Sequence, residues 1–368
     1  MLQALSVLNR IFRADGFKGV ATPSMERSVA KALNPMVTDY QSQRSEAIQR
    51  RTGRTFYVAT RFLPKRVREA TFVLYAFFRI ADEVVDDPSP APASVQHAQL
   101  DEIQAAALGE VPSDDPVLQA FAEIKAQVGI PDEEVTEFIS AMRSDIDATG
   151  YDTYADLEEY LRGSSVAVAN MMMAIMDVPE PEKARPHAKA LGEAFQLTNF
   201  LRDVREDVLE YDRIYLPRET LKRFDTTEEA IRDLDSSQAV RRVIEAELHR
   251  AEQRYRKGVE GIRFLPKDCQ FPVLLATVLY AEHHRKIRAI NGNVLEQRPT
   301  LGLRDYFRLV VLTRWHWWRL GDPESVFYRV SPVRHHPSSR ERGTVTDSSY
   351  IATLRDRVRP RISMKRRE

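Results

Sequence analysis

The stretch "TFVLYAFFRIADEVVDDP", residues 71–88, joins one of the most apolar runs in the chain to four carboxylates, Asp82, Glu83, Asp86 and Asp87. Read plainly, it is a helix that ends in solvent before a proline. The helical arithmetic divides the acids. An α-helix turns about 100° per residue, so with Tyr75 at zero, Arg79, Asp82 and Asp86 fall at about +40°, −20° and +20°. One narrow stripe therefore carries Tyr, Arg, Asp and Asp, flanked by Phe72, Leu74, Phe77, Phe78, Val84 and Val85, while Glu83 and Asp87 lie off it. Like charges four residues apart on a helix repel, and a divalent cation removes that cost. Alone, such a pair is more often a solvated helix end than a metal site. A second face of the same design decides between the two readings.

That second face is in "FQLTNFLRDVREDVLEYDRIYLP", residues 195–217. With Gln196 at zero, Asn199, Asp203 and Asp207 fall at about −60°, −20° and +20°. Two amides and two carboxylates again share a stripe, with Phe195, Leu197, Phe200, Leu201 and Val204 as apolar neighbours and Arg202, Arg205, Arg213 and Tyr215 around it. Hard oxygen donors without His or Cys point to Mg²⁺ or Mn²⁺ rather than zinc. Mg²⁺ takes one or two carboxylates and leaves its other positions to water and substrate phosphate. The expected ligands are Asp82, Asp86, Asn199, Asp203 and Asp207, two D-x-x-x-D stripes facing each other over a diphosphate. Arg79, Arg202 and Arg213 would supply charge-assisted bonds to the same oxygens.

The rest of the chain supports a helical setting. Glycine is scarce at 14 of 368 residues, the apolar periodicity is helical, and there is no 20–50-residue repeat and no Rossmann or P-loop glycine pattern. Helices are expected over 42–62, 65–87, 97–109, 115–128, 132–148, 154–178, 183–211, 236–262, 266–290 and 301–320. The organisation expected is a leader over 1–44, one all-α domain over 45–324 and a basic, loosely ordered tail over 325–368. Lys plus Arg and Asp plus Glu balance at 54 each, so overall charge points to no polyanionic partner and no nucleic acid is expected. The single cysteine, Cys269, excludes an internal disulfide framework and a Cys-rich zinc site. No stretch approaches the roughly 18–20 apolar residues of a membrane span. The start, "MLQALSVLNRIFRADGF", has no long apolar core or small-residue cleavage site. A cytoplasmic protein is expected.

Taken together, these motifs resemble the squalene/phytoene synthase family, the head-to-head trans-isoprenyl diphosphate synthases. "TFYVATRFLP", "YAFFRIADEVVDD", "YLRGSSVAVA", "QLTNFLRDVREDV" and "RIYLP" occur in the family's order and approximate spacing over residues 45–312. Paired aspartate motifs also suit other class I terpene synthases; "NFLRDVREDV…RIYLP" is more specific. The resemblance implies an all-α class I isoprenoid synthase bundle around a central apolar pocket, with metal-bound diphosphates at its mouth. Asp82 and Asp86 match the first motif, Asp203 and Asp207 the second. Tyr75 and Arg79 match diphosphate-side residues, and Gln196, Asn199 and Arg202 the polar set before the second motif. Thr55 matches a small hydroxyl before Phe56, Tyr280 a late diphosphate-contacting Tyr, and Arg298 is a weaker candidate. Arg213 and Tyr215 fall in "RIYLP". The chain also departs from the pattern. Gly53 stands where Ser is frequent, Val166 and Ala169 add bulk where "Y-x-x-x-A-G-x-V-G" is frequent, and one extra residue precedes "RIYLP".

The activity implied is a Mg²⁺-dependent condensation of two geranylgeranyl diphosphates, through a cyclopropylcarbinyl diphosphate, to phytoene. The alternative is squalene or dehydrosqualene synthesis from farnesyl diphosphate, NADPH entering only for squalene. A reading of another class is a non-catalytic relative that serves as an assembly scaffold; all four aspartates argue against it. "SSVAVANMMMAIM" (164–176) is read as pocket wall or core. His283 and His284 lack a ligand spacing and are expected at the surface. "YFRLVVLTRWHWWRL" (306–320) reads as a terminal helix packed on the core, or as an interfacial patch on the inner face of a membrane.

Overall fold

A computed structural model describes residues 39–87, 89–147 and 150–334. The expected leader up to residue 38, the helix-ending Pro88 and the tail beyond residue 334 lie outside the described residues. Among those described there is no strand, only an isolated bridge between Gly150 and Ile214.

The chain runs α1 (Asp39–Thr52), α2 (Arg54–Thr60), α3 (Lys65–Val85), α4 (Ala93–Leu108), α5 (Pro116–Val128), α6 (Asp132–Asp147) and α7 (Tyr154–Leu161). A π-helical turn, Arg162–Ala167, leads into α8 (Val168–Met176) and the 31-residue α9 (Pro181–Tyr211). Two short helices, α10 (Arg218–Arg223) and α11 (Glu228–Arg232), precede α12 (Gln238–Val259). A 3₁₀ turn (Glu260–Phe264), α13 (Lys267–Ala289), α14 (Leu303–Leu320) and α15 (Pro323–Val330) complete it.

Local chemistry explains many of the boundaries. Asp115 accepts bonds from the Val117 and Leu118 amides, Thr153 and Asp156 form a capping box, and Asp322 caps Ser325 with Pro323 at the first position; each satisfies N–H groups that a helix start leaves open. The long helix expected over 42–62 is divided at Gly53, which leaves helical geometry at φ −119°, ψ 57°. The helix expected over 154–178 contains the π turn instead of running uniformly. There Gly163 is required, because a Cβ would stand 2.2 Å from the Glu137 carbonyl of α6. The ordered chain also passes Ser325: α15 buries Val326, Phe327 and Val330, which the composition of the tail concealed.

Helix α9 joins three apolar clusters. One gathers α3 to α8, with Phe77 stacked on Phe121 at 4.0 Å. A second unites α9, α12, α13, α14 and α15 around Tyr255 and Phe327. The third holds the carboxyl half of α9 to α10, α11 and α12. Burying one such large side chain contributes roughly 1.5–3 kcal/mol. The packing sets the stripe of α3 opposite the stripe of α9 across one cavity.

Candidate active site

The cavity has a volume of about 550 Å³. Tyr75, Arg79, Asp82 and Asp86 enter it from α3, and Gln196, Asn199, Arg202, Asp203 and Asp207 from α9. Thr55, Phe56, Arg213, Tyr215 and Tyr280 also line it, so the candidate site residues from the sequence reach one space, except the weaker candidate Arg298, which does not line it and pairs with Asp203 from outside. Glu83 and Asp87 are exposed outside, as the stripe arithmetic requires. The opposite end is apolar, with Val168, Met172, Met173, Met176, Leu191 and Val273.

Arginines bind the carboxylates at the polar end. Arg79 Nη1 donates to Asp82 Oδ2 at 3.1 Å. Arg202 Nε donates to Asp203 Oδ1 at 2.8 Å, and Arg298 Nη2 stands 2.9 Å from the same oxygen. Arg213 Nη1 donates to Asp86 Oδ1 at 2.9 Å and its Nη2 to the Val85 carbonyl at 2.8 Å, tying the end of α3 to the segment after α9. Arg205 turns away to the Leu295 carbonyl at 2.6 Å. These pairs do not neutralise the site. Burial, opposed by Arg79 and reinforced by Asp86 and Asp145, pushes Asp82 up to about 7. Burial together with Asp203, Glu206 and Asp86 holds Asp207 well above the usual carboxylate range.

The donor set suits a hard divalent cation. It is all oxygen, Asp82 and Asp207 are raised by burial and by neighbouring carboxylates, and Asn199 Oδ1 is buried without a hydrogen-bond partner while its Nδ2 donates to Gln196 Oε1 at 3.3 Å. Among the described residues no group of three His, Cys, Asp or Glu converges on a single point. The aspartates are therefore two separate walls rather than a closed cage. That is the arrangement for ions that take one or two protein carboxylates each and complete their coordination with water and phosphate.

A second polar group, behind the first, escaped the sequence reading. Asp145 of α6 is buried and accepts bonds from Tyr160 at 2.8 Å and Tyr215 at 2.8 Å, one on each oxygen. Burial, opposed by Arg213 and by both tyrosines, raises its carboxyl to about 6. Tyr215 stacks on Phe200 at 4.0 Å, which fixes its ring. The stripe arithmetic that found Asp82 finds Asp145 too: it falls within about 60° of Phe138 and Met142, both of which line the cavity. Tyr160 stands in the "YLRGSSVAVA" motif, and Tyr211 also lines the space.

The departures at Gly53 and in the histidines have physical explanations. A Cβ at Gly53 would lie 2.5 Å from Tyr75 Oη. Tyr75, bonded to Thr52 Oγ1 at 3.2 Å, thus puts a phenolic hydroxyl where a serine side chain would begin. Thr55 Oγ1 bonds Tyr306 Oη at 2.8 Å, and Phe56, Phe195 and Tyr280 pack ring on ring. His283 and His284 are buried rather than at the surface, because this part of α13 packs between α9 and α12. His284 Nε2 is 3.0 Å from Thr198 Oγ1, and its Nδ1 faces Glu252 at 3.6 Å. His283 Nδ1 meets the Tyr280 carbonyl at 3.2 Å, and burial together with Arg202 pushes it down to about 3.

Known proteins resemble this chain in sequence and in fold. The squalene/phytoene synthase family model matches residues 49–305. The phytoene synthase of Rhodobacter capsulatus is 34% identical over 238 residues, 63% of this chain and 68% of that protein. The 15-cis-phytoene synthase of Synechocystis sp. is 31% identical over 260 residues, 67% of this chain and 76% of its own. Among solved structures, a dehydrosqualene synthase in complex with ligand superposes with a TM-score of 0.69 at 26% identity, over 76% of this chain and 97% of that one. A squalene synthase from Alicyclobacillus acidocaldarius gives a TM-score of 0.59 at 26% identity, over 68% of this chain and 94% of its own.

Proposed function

The chain belongs to the squalene/phytoene synthase family and is a prenyltransferase of that type, and from that premise we propose that it joins two geranylgeranyl diphosphates head to head into phytoene. The observation that carries the reading is two aspartate faces, each with its arginine, at the polar end of a cavity that is apolar at the other. Curated relatives at 34% and 31% identity are named phytoene synthases, which favours geranylgeranyl diphosphate. The structural neighbours named dehydrosqualene and squalene synthase keep farnesyl diphosphate as the second reading.

Mg²⁺, or Mn²⁺, held by Asp82, Asp86, Asn199, Asp203 and Asp207, would neutralise the diphosphates and lower the barrier to ionisation. The chain's own groups act around that chemistry. Arg79 and Arg202 place guanidinium N–H groups at the polar end, where charge grows on the departing diphosphate. The first departure leaves an allylic cation, which the 2,3 double bond of the second substrate attacks; loss of a proton closes a cyclopropane. The second diphosphate then leaves, the ring opens to the 1-1′ bond, and loss of a second proton gives the triene at the centre of phytoene. Val168, Met172, Met173, Met176 and Leu191 keep water from these cations. Tyr160 and Tyr215 are held by Asp145, so their hydroxyl protons are directed away from the hydrocarbon. A scaffold would have no use for carboxylates pushed up by burial and by one another's charge.

No described helix is long and apolar enough to cross a membrane. The product is a hydrocarbon without a polar group, so the reading includes peripheral contact with a membrane that receives it. The test is incubation of the purified protein with geranylgeranyl or farnesyl diphosphate and Mg²⁺, with and without NADPH, followed by mass analysis of the hydrocarbon. A C40 product from geranylgeranyl diphosphate, unaffected by NADPH, supports the reading. A C30 product with no C40 product replaces it by the farnesyl alternative.

A further inference from the structure

Nine large apolar side chains stand exposed among the described residues, and six of them belong to α14. Leu303, Phe307, Val311, Trp315 and Trp318 fall within about 120° of the circumference of that helix, over a length of roughly 22 Å. Trp318 is 78% exposed. With Leu303 at zero, Leu309, Val310 and Thr313 fall at about −120°, −20° and −80°, on the other side of the helix from the stripe's centre or at its edge. All three are buried in the second core cluster or beside it. Helix α14 is therefore anchored by one side and bare on the other.

Charge indicates what covers the bare face. Arg304 and Arg314 lie within the stripe, and Arg308 and Arg319 lie at its border by the same arithmetic. Arg314 sits over the Phe271 ring at 5.5 Å and Arg319 over the Trp315 ring at 4.9 Å. Arg308 pairs with Glu282 at 2.5 Å. The helix has one acid, Asp305, already paired with Lys286 at 2.8 Å. Residues 335–368 follow α15 and carry nine Lys or Arg against four Asp or Glu. A second copy of this face would oppose arginine to arginine, and the basic tail is repelled in the same way. A surface of acyl chains beneath anionic headgroups complements both the apolar stripe and its arginines.

We propose that α14 is an in-plane docking helix for an anionic bilayer, seating Leu303, Phe307, Val311, Trp315 and Trp318 among the acyl chains and its arginines on lipid phosphates. The helix adjoins the cavity wall: Tyr306 bonds Thr55 of α2, and Trp317 lies 6.0 Å from Phe271 of α13. Phe56 of α2 and Pro272, Val273 and Ala276 of α13 line the cavity. Docking thus brings the cavity's α2 and α13 wall to the lipid. The use of that contact, delivery of a hydrocarbon, rests on the function proposed above; the contact itself does not.

All three tryptophans, Trp315, Trp317 and Trp318, are on this helix, so selectively excited tryptophan fluorescence reports on it alone. The full-length protein is mixed with vesicles of phosphatidylcholine, or of phosphatidylcholine and phosphatidylglycerol, with and without brominated acyl chains. The expected result is a blue shift, quenching by the brominated chains and flotation with the anionic vesicles, weakened by salt. Trp315→Ser with Trp318→Ser lowers vesicle affinity roughly tenfold or more, and Arg304→Glu with Arg314→Glu lowers it roughly tenfold for anionic vesicles only. Both variants keep turnover of detergent-dispersed substrate. Absence of shift and flotation with anionic vesicles overturns the proposal, as does unchanged flotation of the double tryptophan variant. Sedimentation showing a dimer that this variant abolishes overturns it in favour of self-association. An active protein that ignores vesicles refutes the docking alone; vesicle binding without condensation refutes only the assigned reaction.

Discussion

Asp82→Asn should stabilise the metal-free protein at pH 8 while destroying its activity. The Asp82 carboxyl, ordinarily at 3.8, is pushed up to about 7 by burial, with Asp86 and Asp145 adding repulsion that Arg79 offsets in part. A proton held more tightly in the folded chain stabilises the fold below about pH 4, and that stability is lost as pH rises through about 7. A rise of this size corresponds to at most about 4 kcal/mol. Because 29% of the side chain opens into the cavity, solvent screening reduces the expected penalty to about 2 kcal/mol. Asparagine removes the charge and keeps an oxygen for Arg79. Urea denaturation at pH 5 and pH 8, without divalent cation, should show the wild type weakening between the two and the variant weakening less, by about 2 kcal/mol. Magnesium with inorganic diphosphate should raise the wild-type midpoint at pH 8, since a ligand of the native state stabilises it, and raise that of the variant far less. A variant weaker than wild type at pH 8, with an equal response to magnesium and diphosphate, would refute the claim that this carboxylate is retained for a cation.

Further expectations concern the surroundings of the site. Tyr160→Phe removes one of the two donors to buried Asp145 and should lower stability by about 1–3 kcal/mol in urea melts; an unchanged midpoint would show that the carboxyl is satisfied otherwise. Gly53→Ser places a Cβ against Tyr75 Oη, so kcat/KM should fall about tenfold or more as the tyrosine is displaced, with full-length helical content retained by circular dichroism. His249, raised to about 9 by the hydrogen bonds it donates to Glu245 and Glu252 against its burial, contributes stability that is present below about pH 6.5 and lost as pH rises through about 9. His249→Gln should therefore lower stability by about 2 kcal/mol at pH 6 and hardly at all at pH 10, in melts compared across that range.

The helical stripes were legible because both aspartate faces are written at a spacing of four within apolar runs, and the fold places Asp82, Asp86, Asp203 and Asp207 where that spacing aims them. The helix expected over 183–211 is found as Pro181–Tyr211, and that over 65–87 as Lys65–Val85. What escaped depends on tertiary partners. Asp145 gains its role only when Tyr215, seventy residues on, reaches its free oxygen. His283 and His284 look like surface residues until α13 is set against Thr198 of α9 and Glu252 of α12. Helices α10 and α11 have six and five residues, too short for a periodicity to register, although Thr227 marks the start of the second by accepting the Ala230 amide. The glycine at position 53, just after α1, has its reason in the ring of Tyr75, which a Cβ there would meet.

The most direct test of the central claim is the stoichiometry of the reaction of purified protein with geranylgeranyl diphosphate and Mg²⁺, following diphosphate and hydrocarbon together. The account predicts two diphosphates released for each phytoene formed, and loss of both products in Asp203→Asn. Diphosphate release with a C20 alcohol as the sole product, or phytoene formation that survives Asp203→Asn, would contradict it.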